Sequence, residues 1–312
     1  MLAVGHVVHN LPPPHFAAPL ASLYIPATVF GPYLAGALIL AVGLPFIILT
    51  ELPRARGLDK ILPFGRLFYA IPLAVFAGDH FVFSKGVAQI VPSWIPGHMF
   101  WVFFVGVALV AASLSIVLNR HVRLAATLLG IMLFLFVVLI HLPNILANPA
   151  SRFPWIIALR DLSFSGGAFA LAGAHTDAPS SSFFITLARF FIAIPVLVFS
   201  VFHFLHPRYV PGVPLDRLTP GYVPARIFWA YLAGAVLFLA GSCILINRKA
   251  RLAAIYLGIM VLFLVLFVYL PMNLAAASDI GNGLNYFADT LLFSGAAFVL
   301  AEALPQEGHS HV

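Results

Sequence analysis

The chain has 312 residues, of which 62% are hydrophobic and only 8% are charged. A soluble fold of this length has too little interior to bury so much apolar surface, so the composition excludes a soluble domain and predicts a membrane protein. The formal net charge of +6 comes without a phosphate-binding glycine loop or a basic-aromatic cluster, so we interpret it as topology information and exclude nucleotide and nucleic-acid binding.

Apolar segments follow one another along the chain, each close to the ~20 residues that a helix needs to cross a bilayer. They predict nine transmembrane helices, at residues 29–50, 64–84, 99–118, 124–142, 156–173, 186–206, 227–246, 252–270 and 287–303. The region 1–61 then comprises an extramembrane leader, the first helix and a cytoplasmic loop. The predicted fold class is all-α and polytopic.

Basic residues in short loops predict the orientation of these helices. Lysine and arginine favour cytoplasmic loops, and NRHVR (119–123) and NRKAR (247–251) fall on the same side of the predicted topology. We therefore expect a plasma (inner) membrane protein with its N-terminus outside and its C-terminus in the cytoplasm. We call the opposite end of the helices the outer end.

An internal duplication is the clearest signal in the sequence. RLAATLLGIM (123–132) returns as RLAAIYLGIM (251–260), and FSGGAFALA (164–172) returns as FSGAAFVLA (293–301). Because each copy holds four predicted helices, the two copies have the same orientation and form parallel repeats after one unpaired helix. The predicted boundaries are 62–174 for the first repeat, 175–184 for a linker, 185–303 for the second repeat and 304–312 for a cytoplasmic tail.

Several motifs recur in the same order in both repeats. An arginine begins the first helix, a histidine lies near its end, a Pro-x-x-x-Pro-x-x-x-Phe-Trp motif (92–101) leads into the second helix, and Leu-Pro-Asn (142–144) ends the third. This order resembles the DoxX/DoxD-like family of four-helix membrane proteins. The resemblance implies a membrane component of a quinone-linked or other small-molecule oxidoreductase system. The second repeat departs from the pattern, because Phe202 replaces Asp79 and the asparagine is displaced to Asn273.

Ionisable residues within a membrane are costly and tend to face a bundle interior or a cavity, so we consider them as site candidates. Those near the outer end are the candidate catalytic residues Asp79, His80, His203 and Asp161, and the candidate substrate-binding residues His141, Asn144, Arg160, Asp289, Tyr269 and Asn273. The first repeat is the better candidate for a working site, because Asp79 has no acidic counterpart at Phe202 of the second repeat.

Each candidate also has a structural interpretation. Asp161 and Asp289 fall in the first turn of their predicted helices, where a carboxylate caps free N–H groups and complements the helix dipole. A histidine near a helix C-terminus is likewise favoured by the dipole. Alternatively, His80 and His203 could ligate a metal or haem between the repeats, although no motif spacing predicts a metal site.

Three functional hypotheses follow from these residues. In the first, Asp79, His80, Asp161 and His141 form a proton relay beside a quinone. Because Cys243 is the single cysteine, internal dithiol chemistry is excluded, and this hypothesis implies a bound cofactor or a redox partner subunit. In the second, the protein is a non-enzymatic carrier or chaperone for lipids or apolar metabolites. In the third, it is an assembly subunit of a membrane complex. The expected partners are membrane lipids, such a subunit and further copies of the chain.

Overall fold

The computed structural model describes residues 27–176, 180–213, 217–275 and 280–305. Within these ranges, nine helices are long and apolar enough to cross a membrane, and the structure is all-helical apart from one isolated β-bridge. The predicted all-α polytopic fold is therefore confirmed. Most of the predicted leader, the middle of the predicted linker and most of the predicted tail lie outside the described residues.

The α-helices are numbered in chain order. They are α1 (Ala27–Phe46), α2 (Pro63–Val82), α3 (Ser84–Val87), α4 (His98–Val117), α5 (Val122–Phe136), α6 (Leu142–Ala147), α7 (Arg152–Ala174), α8 (Ser180–Leu205), α9 (Arg226–Leu245), α10 (Ala250–Leu264), α11 (Leu270–Ala275) and α12 (Ile280–Ala303). In the first repeat α2, α4, α5 and α7 are the four main helices. Their equivalents in the second repeat are α8, α9, α10 and α12. Helix α1 precedes both repeats.

Three helices widen into a π-helical turn directly before a Leu-Pro pair. These turns are Ile47–Glu51, Val137–His141 and Val265–Tyr269, followed by Leu-Pro at 52–53, 142–143 and 270–271. Proline has no N–H and its ring clashes with the carbonyl four residues earlier, so a wider turn accommodates it without ending the helix. The third helix of each repeat therefore runs several residues further than its hydropathy predicted, to 147 and 275.

The backbone repeats as the sequence does. Asn119 and Asn247 have φ of 51° and 57° at equivalent positions of the two basic loops. The residues before α4 and α9, Gly97 and Ala225, are also equivalent and both left-handed. An alanine rarely adopts this conformation, so Ala225 preserves a turn for which glycine is the favoured residue.

The two repeats interlock, since the last helix of each packs on the first helix of the other. A Cβ atom on Gly295 of α12 would lie 2.6 Å from the backbone nitrogen of Tyr69 in α2. A Cβ atom on Gly166 of α7 would lie 2.9 Å from the side chain of Ile192 in α8. Small residues allow this close approach of membrane helices. The predicted repeat boundaries thus do not delimit two separate packing units.

Helices α7 and α12 meet each other at the centre of the bundle. A Cβ atom on Gly167 of α7 would lie 2.9 Å from the Cβ of Ala296, its equivalent residue in α12. Contact between equivalent residues indicates a pseudo-twofold axis between the repeats. Two equivalent serines join these helices to the third helix of their own repeats. Ser165 of α7 donates to Gly130 O of α5 at 2.8 Å, and Ser294 of α12 donates to Gly258 O of α10 at 2.9 Å.

Candidate functional site

A buried ion pair joins the two repeats at the pseudo-twofold axis. Arg160 Nη1 of α7 lies 2.5 Å from Asp289 Oδ2 of α12, and the side chains are only 13% and 10% exposed. The two positions are equivalent in the aligned repeats, so the duplication has placed opposite charges where an exact repeat would place identical ones. An ion pair at this depth contributes only if its charges are well partnered, because desolvation is costly.

The predicted capping role of Asp161 and Asp289 is wrong. Helix α7 begins at Arg152 and helix α12 at Ile280, so both aspartates lie more than two turns inside their helices. Hydropathy misplaced the two helix starts because polar residues interrupt the apolar run at its outer end. Both carboxylates instead bind side chains of neighbouring helices.

Asp79 lies at the interface between α2 and α12, where it faces Asn285 and Asp289. The Oδ1 atom of Asn285 is buried and has no hydrogen-bond partner among the described residues. At the equivalent interface between α8 and α7 the corresponding residues are Phe202 and Ile156, which are apolar. The polar contact is therefore made on one side of the pseudo-twofold axis only.

His141 and Asp161 form a second polar pair, within the first repeat. His141 Nε2 lies 2.8 Å from Asp161 Oδ2, and the side chains are 14% and 19% exposed. In the second repeat the equivalent residues are Tyr269 and Thr290, which also lie beside each other. The duplication thus preserves the contact and changes its chemistry, from an imidazole and a carboxylate to two hydroxyl groups.

His80 and His203 are held in the same way in their two repeats. Their Nδ1 atoms lie 2.7 and 2.6 Å from the carbonyl oxygens of Phe76 and Phe199, four residues earlier. A carbonyl only accepts, so Nδ1 carries the ring proton and Nε2 is the acceptor in both rings. Among the described residues, none hydrogen-bonds to His80 Nε2, whereas His203 Nε2 accepts a bond of 2.8 Å from Gly212 N.

A segment of the second repeat covers its own outer end. The residues Val210 to Val213 are buried, and Tyr269 Oη donates to the carbonyl oxygens of Pro211 and Val213 at 3.0 Å each. The hydroxyl of Tyr222 donates to Val268 O at 2.6 Å, and burial raises its pKa against the opposing effect of Arg217.

The remaining candidates have other surroundings. Asn273 is buried and its Oδ1 accepts from Tyr33 Oη of α1 at 3.0 Å, so it joins the first helix to the second repeat. Asn144 is exposed at the start of α6. The structure therefore groups Asp79, Arg160, Asp161, His141 and Asp289 into one site, which we call the central polar site. Tyr269 lies beside this site, close enough to interact with the charges of Arg160 and Asp289. His203 and Asn273 have the other partners described above.

The hypothesis of a haem or metal between His80 and His203 does not fit this geometry. Both ring nitrogens of His203 are engaged, one by Phe199 O and the other by Gly212 N. A ligand bond would need Nε2 and would leave the buried amide of Gly212 without an acceptor. Throughout the part of the chain that the structure describes, no group of three His, Cys, Asp or Glu side chains is placed to hold a metal ion.

Ion pairs at the opposite end of the bundle were not anticipated from the sequence. Arg66 pairs with Glu51, and Arg251 Nη2 lies 2.9 Å from Asp59 Oδ1. Arg66 is the arginine near the start of α2, and its side chain is only 10% exposed. The Leu-Pro pairs are the sequence signal that could have indicated the ion pair of Glu51. Glu51 and His141 are each the last residue of a π-helical turn that is followed by a Leu-Pro pair.

Compared with known proteins, the chain matches no family model, no curated protein and no solved structure at a significant level. The functional argument therefore depends on the central polar site.

Proposed function

We propose that the protein is the membrane component of a quinone-linked or other small-molecule oxidoreductase system, and that the central polar site binds the polar headgroup of the substrate. One observation carries the proposal. His141 and Asp161 form an ionisable pair in the first repeat. The equivalent residues of the second repeat, Tyr269 and Thr290, also lie beside each other but are neutral. Ionisable groups kept within a membrane are costly, so their asymmetric retention favours a function over a packing role.

The residues of the site have distinct tasks in this proposal. Asp161 orients His141, whose imidazole exchanges a proton with the headgroup, since an imidazole nitrogen can accept a proton and return it. The Arg160–Asp289 pair fixes α7 against α12 and so holds Asp161 in place. The lone Cys243 provides no dithiol, so the electrons are exchanged with a bound cofactor or a redox partner subunit.

The test is the identity and amount of the molecule that copurifies with the protein. Wild-type protein, purified in a mild detergent, is extracted and analysed by mass spectrometry for quinones and for phospholipids. We expect quinone at a near-stoichiometric level in the wild type and at least about tenfold less in Asp161→Asn, which loses the charge that orients His141.

Asp59→Asn is the matched control, because it also neutralises an aspartate in a helix-to-helix ion pair, but at the opposite end of the bundle. It should retain the wild-type quinone content. Phospholipid or an apolar metabolite in place of quinone, lost in Asp161→Asn, would instead support a carrier that uses the same site. Equal quinone contents in the wild type and both variants would contradict the proposal.

A further inference from the structure

The covering segment of the second repeat makes the contacts that a ligand would make. The chain from Val210 to Val213 fits between the ends of α8 and α10, where it gives one N–H to His203 and two carbonyl oxygens to Tyr269. A Cβ atom on Gly212 would lie 2.6 Å from the Leu264 side chain, so the backbone lies directly on α10. Gly212 has φ of +103°, a conformation that favours glycine.

The first repeat has the same histidine, and within the described ranges no segment of the chain covers it. His80 and His203 lie on equivalent glycines of the neighbouring helix. A Cβ atom on Gly106 would lie 3.2 Å from His80 Cβ, and one on the equivalent Gly234 would lie 3.0 Å from His203 Cβ. In both rings Nδ1 also bonds to the carbonyl oxygen four residues earlier. His80 Nε2 therefore has the same position in the first repeat as His203 Nε2 has in the second.

The connection after α2 stays at the surface. None of residues 83–97 is buried, whereas the longer connection of the second repeat buries four consecutive residues. Trp94 is 68% exposed, and its equivalent, Tyr222, is partly buried with its hydroxyl bound to Val268 O. Among the described residues, no segment covers the outer end of the first repeat as Val210 to Val213 covers that of the second.

We infer that Val210 to Val213 occupies, in the second repeat, the place that the substrate occupies in the first, and that the substrate donates a hydrogen bond to His80 Nε2. This inference rests on the proposed function and narrows its substrate class. The headgroup must carry a hydroxyl or N–H next to an apolar body, as the Gly212 amide is flanked by Val210, Pro211 and Val213. Of a quinone and its quinol, only the quinol meets this requirement.

The contact with His80 also completes the site. In the second repeat the covering segment reaches both His203 and Tyr269, so the corresponding ligand in the first repeat reaches both His80 and His141, the equivalent of Tyr269. His141 is paired with Asp161 through Nε2, which leaves Nδ1 for the ligand. The two histidines then bind one headgroup from α2 and from the π-helical turn after α5.

A methylated quinol tests the inference directly. Binding of decylubiquinol and of its dimethyl ether, which cannot donate a hydrogen bond, is measured on the detergent-solubilised full chain under reducing conditions. In the wild type we expect the ether to bind at least about tenfold more weakly, the effect of one buried hydrogen bond lost to an unpartnered acceptor. In His80→Phe, which keeps a ring but removes the acceptor, the quinol should bind as weakly as the ether.

His203→Phe is the matched control, because it removes the equivalent acceptor of the second repeat. It should lower the unfolding temperature, through the loss of the Gly212 bond, and leave the preference for quinol over ether unchanged. If the wild type binds the ether as tightly as the quinol, the inference is wrong while the proposed function stands. If it binds neither compound nor the parent quinone, the proposed function fails as well.

Discussion

At the scale of single residues, equivalent positions of the two repeats carry complementary or unlike side chains where the membrane interior becomes polar. Arg160 faces Asp289 across the pseudo-twofold axis, and the polar Asp79 corresponds to the apolar Phe202. A symmetric dimer of identical chains could place only like charges at such an axis. Fusion of two copies in one chain removes this constraint, and the central polar site depends on that freedom.

The ion pair at the axis should tolerate exchange of its two charges better than the change of either one. Arg160→Asp alone sets two carboxylates against each other, and Asp289→Arg alone sets two guanidinium groups. Each should lower the free energy of unfolding by about 3–5 kcal/mol, the cost of a buried charge without its partner. In the double variant the positions are exchanged but the pair is kept, so we expect most of that loss to be recovered.

Reversible unfolding in detergent, followed by tryptophan fluorescence, measures these differences. Asp59→Asn provides the comparison, because the Asp59 side chain is 33% exposed and an ion pair of that exposure is worth less than about 1 kcal/mol. A double variant as unstable as the sum of the two single variants would show that the two positions are not interchangeable.

At the scale of elements, glycines set how closely helices of different repeats approach. A Cβ atom on Gly295 would lie 2.6 Å from the backbone nitrogen of Tyr69, and a backbone atom of a packed helix cannot move aside as a flexible side chain can. A Cβ atom on Gly86 in α3 would meet nothing within 4 Å. The same substitution should therefore have opposite consequences at the two positions.

We expect Gly295→Ala to lower the free energy of unfolding by about 1–3 kcal/mol, as other overpacked interiors do, because α12 must move away from α2. Gly86→Ala should be neutral or slightly stabilising, since alanine is the better helix former. Both effects are measured by thermal unfolding of the purified variants. Equal unfolding temperatures for the two variants would mean that α12 and α2 are not in close contact.

The three π-helical turns show how one local motif serves different interactions. In each, the last residue before Leu-Pro carries a polar side chain that bonds to another part of the chain. Glu51 binds Arg66, His141 binds Asp161, and Tyr269 binds the covering segment through Pro211 and Val213. The wide turn resolves the clash with proline and gives that residue a direction that a regular helix would not give it.

At the scale of the whole molecule, the exchange of α7 and α12 between the repeats makes the two halves dependent on each other. Alone, the first repeat would lose α12 from the face of α2. A homodimer of the first repeat could replace that helix only by placing Arg160 of one copy against Arg160 of the other at the axis. A homodimer of the second repeat would place Asp289 against Asp289 in the same way. Like charges at a buried contact oppose both homodimers.

We therefore expect the protein to assemble from two separate chains, cut between residues 176 and 180, only when both are present. Coexpressed halves should copurify through a tag on either one and elute as a single species on size-exclusion chromatography. Each half expressed alone should aggregate. Two halves that are monodisperse on their own and do not copurify would contradict the interlocked arrangement.

The sequence by itself determined the elements of this protein and their duplication. Nine apolar segments predicted the nine membrane-length helices found in the described ranges, because a helix must satisfy its own backbone in lipid and its length is set by the bilayer. Repeated strings such as RLAATLLGIM (123–132) identified the equivalent positions. Both are local properties of the chain, and so are the Leu-Pro pairs that mark the π-helical turns.

Only the tertiary structure decided which helices meet and therefore which polar residues share a site. The repeated motifs do not indicate which helices of the two repeats meet, and in the structure α12 packs on α2 and α7 on α8. Asp289 thereby joins Arg160 and Asp79, and His203 is closed off by Gly212 instead of facing His80. Hydropathy is the same for either pairing of the helices. The choice depends on the fit of a few glycines against the opposite backbone, which is a property of surfaces in contact and not of either helix alone.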